Sequence, residues 1–205
     1  MDPQRITQLV ENTHEIQRQV RQSLHEIDRR ALNAMVLVKR HGDALAGYGV
    51  IATAFREQAA KLQAKAEELQ HFVAPLTEAA MRLLQIQQYD QMTQQMVTQM
   101  GQGKDLGSLP DTRREWGETI QQEQEKIQSI LKKLLLQLER FQEGIAEQEY
   151  VVTNGRIEAA LSEGSGAPLM RVSRDMGEAV SAVRQAIQQW KQQLEEFTHE
   201  SGTGF

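Results

Sequence analysis

ALNAMVLVKRHGDALAGYGVIATAFREQA, residues 31–59, is the stretch on which the fold turns. Both of its ends carry helix-forming residues at helical spacing, yet Gly42, Gly47 and Gly49 fall between them. Glycine adopts positive φ freely and costs roughly 1 kcal/mol inside a helix relative to alanine. The cluster therefore reads as a place where one long helix turns back on itself.

Upstream, Pro3 opens a helix expected from about Gln4 to Arg40. Its 3-4 spacing runs through Ile6, Leu9, Thr13, Ile16, Val20, Ser23, Ile27, Arg30, Ala34 and Leu37, the repeat of a coiled-coil seam. After the glycines the spacing resumes at Ile51, Phe55, Gln58, Leu62, Lys65, Leu69, Phe72, Leu76, Ala79, Leu83 and Ile86. It continues through Asp90, Thr93, Val97 and Met100. Pro75 lies inside this run and predicts a kink or short break. GQGKDLGSLPDT (101–112) reads as a loop closed by an Asp or Thr N-cap. A third helix is expected from about Arg113 to Ser162, then a turn in SEGSGAP, then a last helix from Leu169 to Phe197 with a frayed tail.

Helices this long cannot bury an apolar stripe alone and must pack lengthwise. The fold class is all-α: long antiparallel hairpins forming a four-helix bundle or coiled coil. Folding at 42–47 and again at 163–168 places both turns at one end of a single elongated domain. Residues 1–81 form a first hairpin and 131–205 a second. The surplus of the middle helices, 82–130 with its loop at 101–111, forms a distal hairpin.

Composition agrees. The 205 residues are 40% hydrophobic and 5% aromatic, with no cysteine. A net charge of -5 with interspersed signs gives no nucleic-acid footprint and no polybasic membrane patch. No apolar run reaches 18 residues and no signal-peptide core opens the chain, so a cytoplasmic protein is expected.

The opening stretch resembles the hairpin tip of the methyl-accepting chemotaxis receptors, in their cytoplasmic signalling domain. The residues that carry it are Ala31-Leu32-Asn33-Ala34, Arg40, Gly42-Asp43, Gly47-Tyr48, Val50-Ile51-Ala52 and Arg56. A fainter repeat lies in VTNGRIEAALSEGSGAPLMRVSRDMGEAV (152–180), at Asn154, Ile157-Glu158-Ala159-Ala160, Gly166 and Asp175. The chain departs from the family pattern at Leu37, Ala54, His25, Leu161 and Pro168-Leu169. The resemblance implies a bacterial signalling protein without enzymatic activity, its two receptor-like hairpins in one chain making a covalent pseudo-dimer. It implies a chemotaxis-type coupling protein, its histidine kinase, or chemoreceptors as partners. The contact surface it implies is Asn33, Arg40, Asp43, Tyr48, Val50, Ile51 and Arg56, with Ile51 equally suited to packing. A monomer is favoured, with a homodimer through the distal hairpin the other option.

Residue types add little chemistry. The five histidines lack metal-ligand spacing, and no cofactor, metal or catalytic constellation is expected. IQQYDQMTQQMVTQM (86–100) loosely resembles the segment of the chemotaxis phosphatase that reaches into a response regulator, which gives the alternative of a response-regulator-binding bundle with phosphatase-like action through Gln95 and a contact at Asp90, Gln91 and Gln95. The other reading of Asp90 and Thr93 is a polar layer that fixes register. Met92, Met96 and Met100 read as fillers of the hairpin core, or as an adaptable face. Asn33 and Asn154 read as buried hydrogen-bonding residues, and Trp116 and Trp190 as core anchors. A purely structural bundle is the remaining alternative.

Overall fold

A computed structural model describes residues 2–100, 107–162 and 166–202, apart from the side chains at 41, 43, 44, 46, 100 and 200–202. Helix α1 spans Pro3–His41 (39 residues), followed by a 3-10 turn at Gly42–Leu45. Helix α2 spans Ala46–Met100 (55 residues), α3 spans Leu109–Leu161 (53 residues) and α4 spans Gly166–Gly202 (37 residues). Among the described residues there is no strand. The all-α bundle expected from the spacing is the observed fold.

Each helix packs against two neighbours, α1 on α2 and α4, α3 on α2 and α4, while across the diagonal α2 reaches α4 through the Tyr48 side chain's bonds to Leu169 and Ser173. The section is thus a square with antiparallel neighbours. Asp2 caps α1 by accepting the Gln4 N–H at 3.0 Å. At its other end Gly42 takes φ 58° and donates its N–H to the Val38 carbonyl, a left-handed cap that suits glycine.

Several local expectations are corrected. Of the three tip glycines only Gly42 has positive φ; Gly47 and Gly49 lie in the first turn of α2. Helix α2 runs unbroken through Pro75, with exposed His71, whose carbonyl the proline leaves without a helical donor, one turn before it. Helix α3 starts at Leu109 after Ser108, so Asp111 and Thr112 sit in its first turn instead of capping it. Pro110 fits there because a first-turn N–H has no helical acceptor. Likewise Pro168 lies in the first turn of α4, which starts at Gly166. The rest of the proposed loop, 101–106, the turn residues 163–165 and the tail 203–205 fall outside the described residues.

The core is a stack of four seams. On α2 the buried positions are Tyr48, Ala52, Phe55, Ala59, Leu62, Leu69, Val73, Leu76, Ala79, Ala80 and Leu83, with Ala79 buried as the expected spacing has it. One expected row, Phe55 to Leu83 in sevens, is right. The other is one residue off: Ile51, Gln58, Lys65 and Phe72 are half-buried flanks, and the facing row is Tyr48, Ala52, Ala59 and Val73. On α1, Leu24 and Ala31 are buried where Ser23 and Arg30 were expected. A helix of 3.6 residues per turn drifts against a strict seven-residue repeat, which accounts for such slips.

Past Leu83 on α2 and before Glu123 on α3, none of the described side chains is buried. There the core-type positions become largely polar, with Gln87, Asp90, Gln94, Arg113, Gly117 and Gln124 beside half-buried Val97 and Ile120. The distal hairpin is a two-helix extension whose inward face is mostly polar.

Two interior positions make opposite predictions. Gln148 is fully buried and neither end of its amide has a partner. Replacing it with leucine removes a desolvated polar group and should raise stability by about 1–2 kcal/mol, read as a higher urea midpoint. At Gly155 a Cβ would stand 2.9 Å from Ser173 Oγ and 3.0 Å from Phe55 Cζ. Gly155→Ala should therefore destabilise by about 1–3 kcal/mol in the same assay, although alanine is the better helix former.

Candidate functional site

The candidate site is the end of the bundle where both turns lie. Tyr48, in the first turn of α2, is fully buried. Its hydroxyl donates toward the Leu169 carbonyl at 3.3 Å and shares a 2.8 Å hydrogen bond with Ser173 Oγ, both on α4. Its ring meets Phe55 edge-on, with centroids 6.5 Å apart. Glu158 of α3 brings its carboxylate against the backbone of Gly47, where a Cβ would be only 2.0 Å away. An acidic group beside the first turn of α2 complements the positive end of that helix. Gly166 opens α4 equally close to α3, since a Cβ there would stand 2.2 Å from the Ala159 carbonyl oxygen.

Tyr48 is therefore a clasp between the two hairpins and not a contact residue. Its side chain is consumed by the core. Of the other implied contact residues, Asn33, Arg40, Val50 and Arg56 are exposed, Val50 at 70%. Asn33 thus departs from the buried role expected of it, while Asn154 is half-buried. Ile51 packs half-buried against the core, the packing option foreseen for it. The Asp43 side chain lies outside the described residues. Arg56 crosses to α1, its Nη1 donating toward Met35 Sδ at 4.0 Å.

Between α1 and α4 the exposed residues border a groove of about 600 Å³. Val36, Leu37, Pro168 and Val172 give it an apolar lining; Arg30, Arg40 and Arg171 give it positive charge. Arg30 is held by Asp175, Nη1 to Oδ2 at 2.6 Å, while Arg40 and Arg171 have no ion-pair partner among the described residues. Sequence reasoning missed the α4 half of this groove. The signal was there: an arginine on the α1 seam needs a carboxylate opposite, and Asp175 stands at a matching level.

The second candidate, Asp90, Gln91 and Gln95, is split by the structure. Asp90 is half-buried and accepts a 2.8 Å hydrogen bond from Arg113 Nε across the distal hairpin. That bond holds the Arg113 guanidinium above its usual range. Gln91 and Gln95 are exposed and line a polar groove of about 390 Å³ with Gln94, Thr98 and Gln99. Committed to Arg113, Asp90 fits the polar layer and leaves the glutamines without their acidic companion. Met92 and Met96 are exposed rather than filling the hairpin core. Trp190 is the expected core anchor, whereas Trp116 is half-buried against Tyr89, centroids 6.2 Å apart. No metal-binding group of His, Asp and Glu occurs among the described residues, and no described helix is long and apolar enough to cross a membrane.

No protein-family model matches this chain, and no curated protein or solved structure shows significant similarity to it.

Burial raises the Tyr48 phenol above its ordinary value of 10.0, and the Ser173 hydrogen bond only partly offsets this. The folded state thus holds the proton more tightly than the unfolded one. Stability conferred by the neutral phenol is complete below pH 10 and lost as pH rises beyond it. Tyr48→Phe should be less stable than wild type at pH 7, having lost the clasp, yet lose less stability between pH 9 and pH 11. Urea midpoints across that range check the sign.

Proposed function

We propose that this chain is a cytoplasmic signalling protein that acts by protein–protein contact at the turn end of the bundle, in the manner of the chemoreceptor tip it resembles. The observation that carries this reading is the exposed cationic and apolar surface there. Arg40, Asn33 and Val36 face the α1/α4 groove, and Val50 and Arg56 stand on the opening turns of α2. A partner with carboxylates around an apolar contact would find unpaired guanidinium groups for bidentate hydrogen bonds and a hydrophobic strip between them. Because the chain as a whole is negative, this local positive field also gives an approaching acidic surface a preferred place to land. The resemblance names the partner class: a chemotaxis-type coupling protein, its histidine kinase, or receptors. The resemblance implies a non-enzymatic role, carried by contact alone.

Calorimetry of the full chain against the coupling protein and kinase of the same organism tests the proposal. Micromolar binding should weaken about tenfold or more, equivalent to ~1.4 kcal/mol, in Val50→Glu and in Arg40→Glu, with helicity unchanged. Gln95→Ala should be silent. Absence of binding, or binding lost through Gln95 and kept in the tip variants, would move the function to the distal hairpin.

A further inference from the structure

The outer flank of α2 in the distal hairpin carries an apolar stripe that the fold leaves bare. Met81, Tyr89, Met92 and Met96 are exposed at 60%, 46%, 53% and 60%. Gln85 lies within the stripe, its amide donating to the Tyr89 hydroxyl at 3.0 Å. Helical spacing puts all five on one side of the helix, away from the polar face where Gln87, Asp90 and Gln94 sit. Three of these four large apolar groups lie beyond Leu83, where the other exposed residues of α2 are mostly glutamine.

We infer that this stripe pairs with the same stripe of a second copy of the chain, with the two α2 helices antiparallel and a twofold axis between residues 88 and 89. The spacing is what assigns the occupant. Residues 81 and 96 share a midpoint with residues 85 and 92, and that midpoint falls at the 88/89 step beside Tyr89. An isologous contact requires such a mirrored set, because each residue must find its counterpart at the same distance on the other side of the axis. Under this symmetry Met81 lies level with Met96 of the other copy, Gln85 with Met92, and Tyr89 near its own equivalent. Methionine suits the contact, being flexible enough to fit an irregular opposing surface.

Charge favours the same arrangement. Between Leu83 and Met100 the only charged side chain of α2 is Asp90, and it is engaged by Arg113. The nearest charges beyond the stripe, Glu78 and Arg82, pair with each other at 3.1 Å. The symmetry sets them level with Gln99 and Gln95 of the other copy, so no like charges meet. The area sets the strength. With roughly half of each large side chain bare, at 150–250 Å² for a fully buried aromatic, the four supply about 400 Å² per chain. A standard interface takes ~800 Å² from each partner, so the dimer is weak and appears as the concentration rises.

The full chain, which has no cysteine of its own, suits a thiol test. Sedimentation equilibrium should show the mass climbing from one chain toward two, and Met92→Glu, at an exposed site, should hold it at one chain with helicity unchanged. Gln88→Cys, one step from the axis, should oxidise readily to a covalent dimer. Met81→Cys should not, because its two copies would stand about 22 Å apart at 1.5 Å per residue, far beyond the ~7 Å that a disulfide spans between Cα atoms. A single-chain mass at every concentration would overturn the inference. So would association untouched by Met92→Glu, or equal cross-linking at 81 and 88.

Discussion

The clasp at the turn end fixes the rest of the molecule. Tyr48 on α2 bonds to Ser173 and Leu169 on α4, while the missing Cβ at Gly47, Gly155 and Gly166 leaves space that atoms of the neighbouring helices fill. At Gly47 and Gly155 the room a Cβ would need is taken by the side chains of Glu158, Ser173 and Phe55, and at Gly166 by the Ala159 carbonyl; together with the clasp these contacts put both reversals at one level. Once two antiparallel hairpins share an origin, every later layer of the seams is in register by counting alone. Lengths then decide the outline. Helices of 39 and 37 residues run out against helices of 55 and 53, and the difference must emerge at the opposite end as a two-helix extension.

That extension is also where the side chains change character. Within the bundle the inward rows are Leu, Ile, Val, Ala and Phe, covered on all sides. Where cover ends, the same rows carry Gln87, Asp90, Gln94, Arg113 and Gln124. Leaving apolar residues there would expose a wide open trough to water. The Asp90–Arg113 bond holds the hairpin together with charge instead, at 2.8 Å and half in solvent. Such an exposed pair contributes little to stability; its use is to specify which turn of α2 faces which turn of α3.

Much of this layout was legible in the sequence. The seven-residue spacing, the glycine clusters and the unequal helix lengths led to the bundle and the shared turn end. What misled was residue size. In α2 the facing row includes Ala52 and Ala59, while the stronger hydrophobic signals Ile51 and Phe72 lie on the flank. Close helices select small residues at the point of nearest approach, so hydrophobicity alone points one residue away. The tip contact set suffered from the same cause. An aromatic beside glycines looks available for recognition, yet Tyr48 is enclosed, its ring against Phe55 and its hydroxyl bonded across the bundle to α4. The α4 half of the cationic groove was hidden differently: Arg171 and Pro168 meet Val36 and Arg40 only once the two hairpins are side by side.

The two exposed surfaces sit toward opposite ends of α2, and their separation decides what the proposed dimer could reach. From residue 45 to the 88/89 step is about 65 Å at 1.5 Å per residue. An antiparallel pair through the distal stripe would therefore carry its two tips about 130 Å apart and facing away from one another. Such a dimer cannot close both tips on one small partner. It can hold two partners, or two points of one extended array, and its avidity would depend on whether the array presents sites at that spacing. A tip that binds only as part of such a bridge would gain from even a weak central contact, because the second tip, once the first is bound, searches a restricted volume.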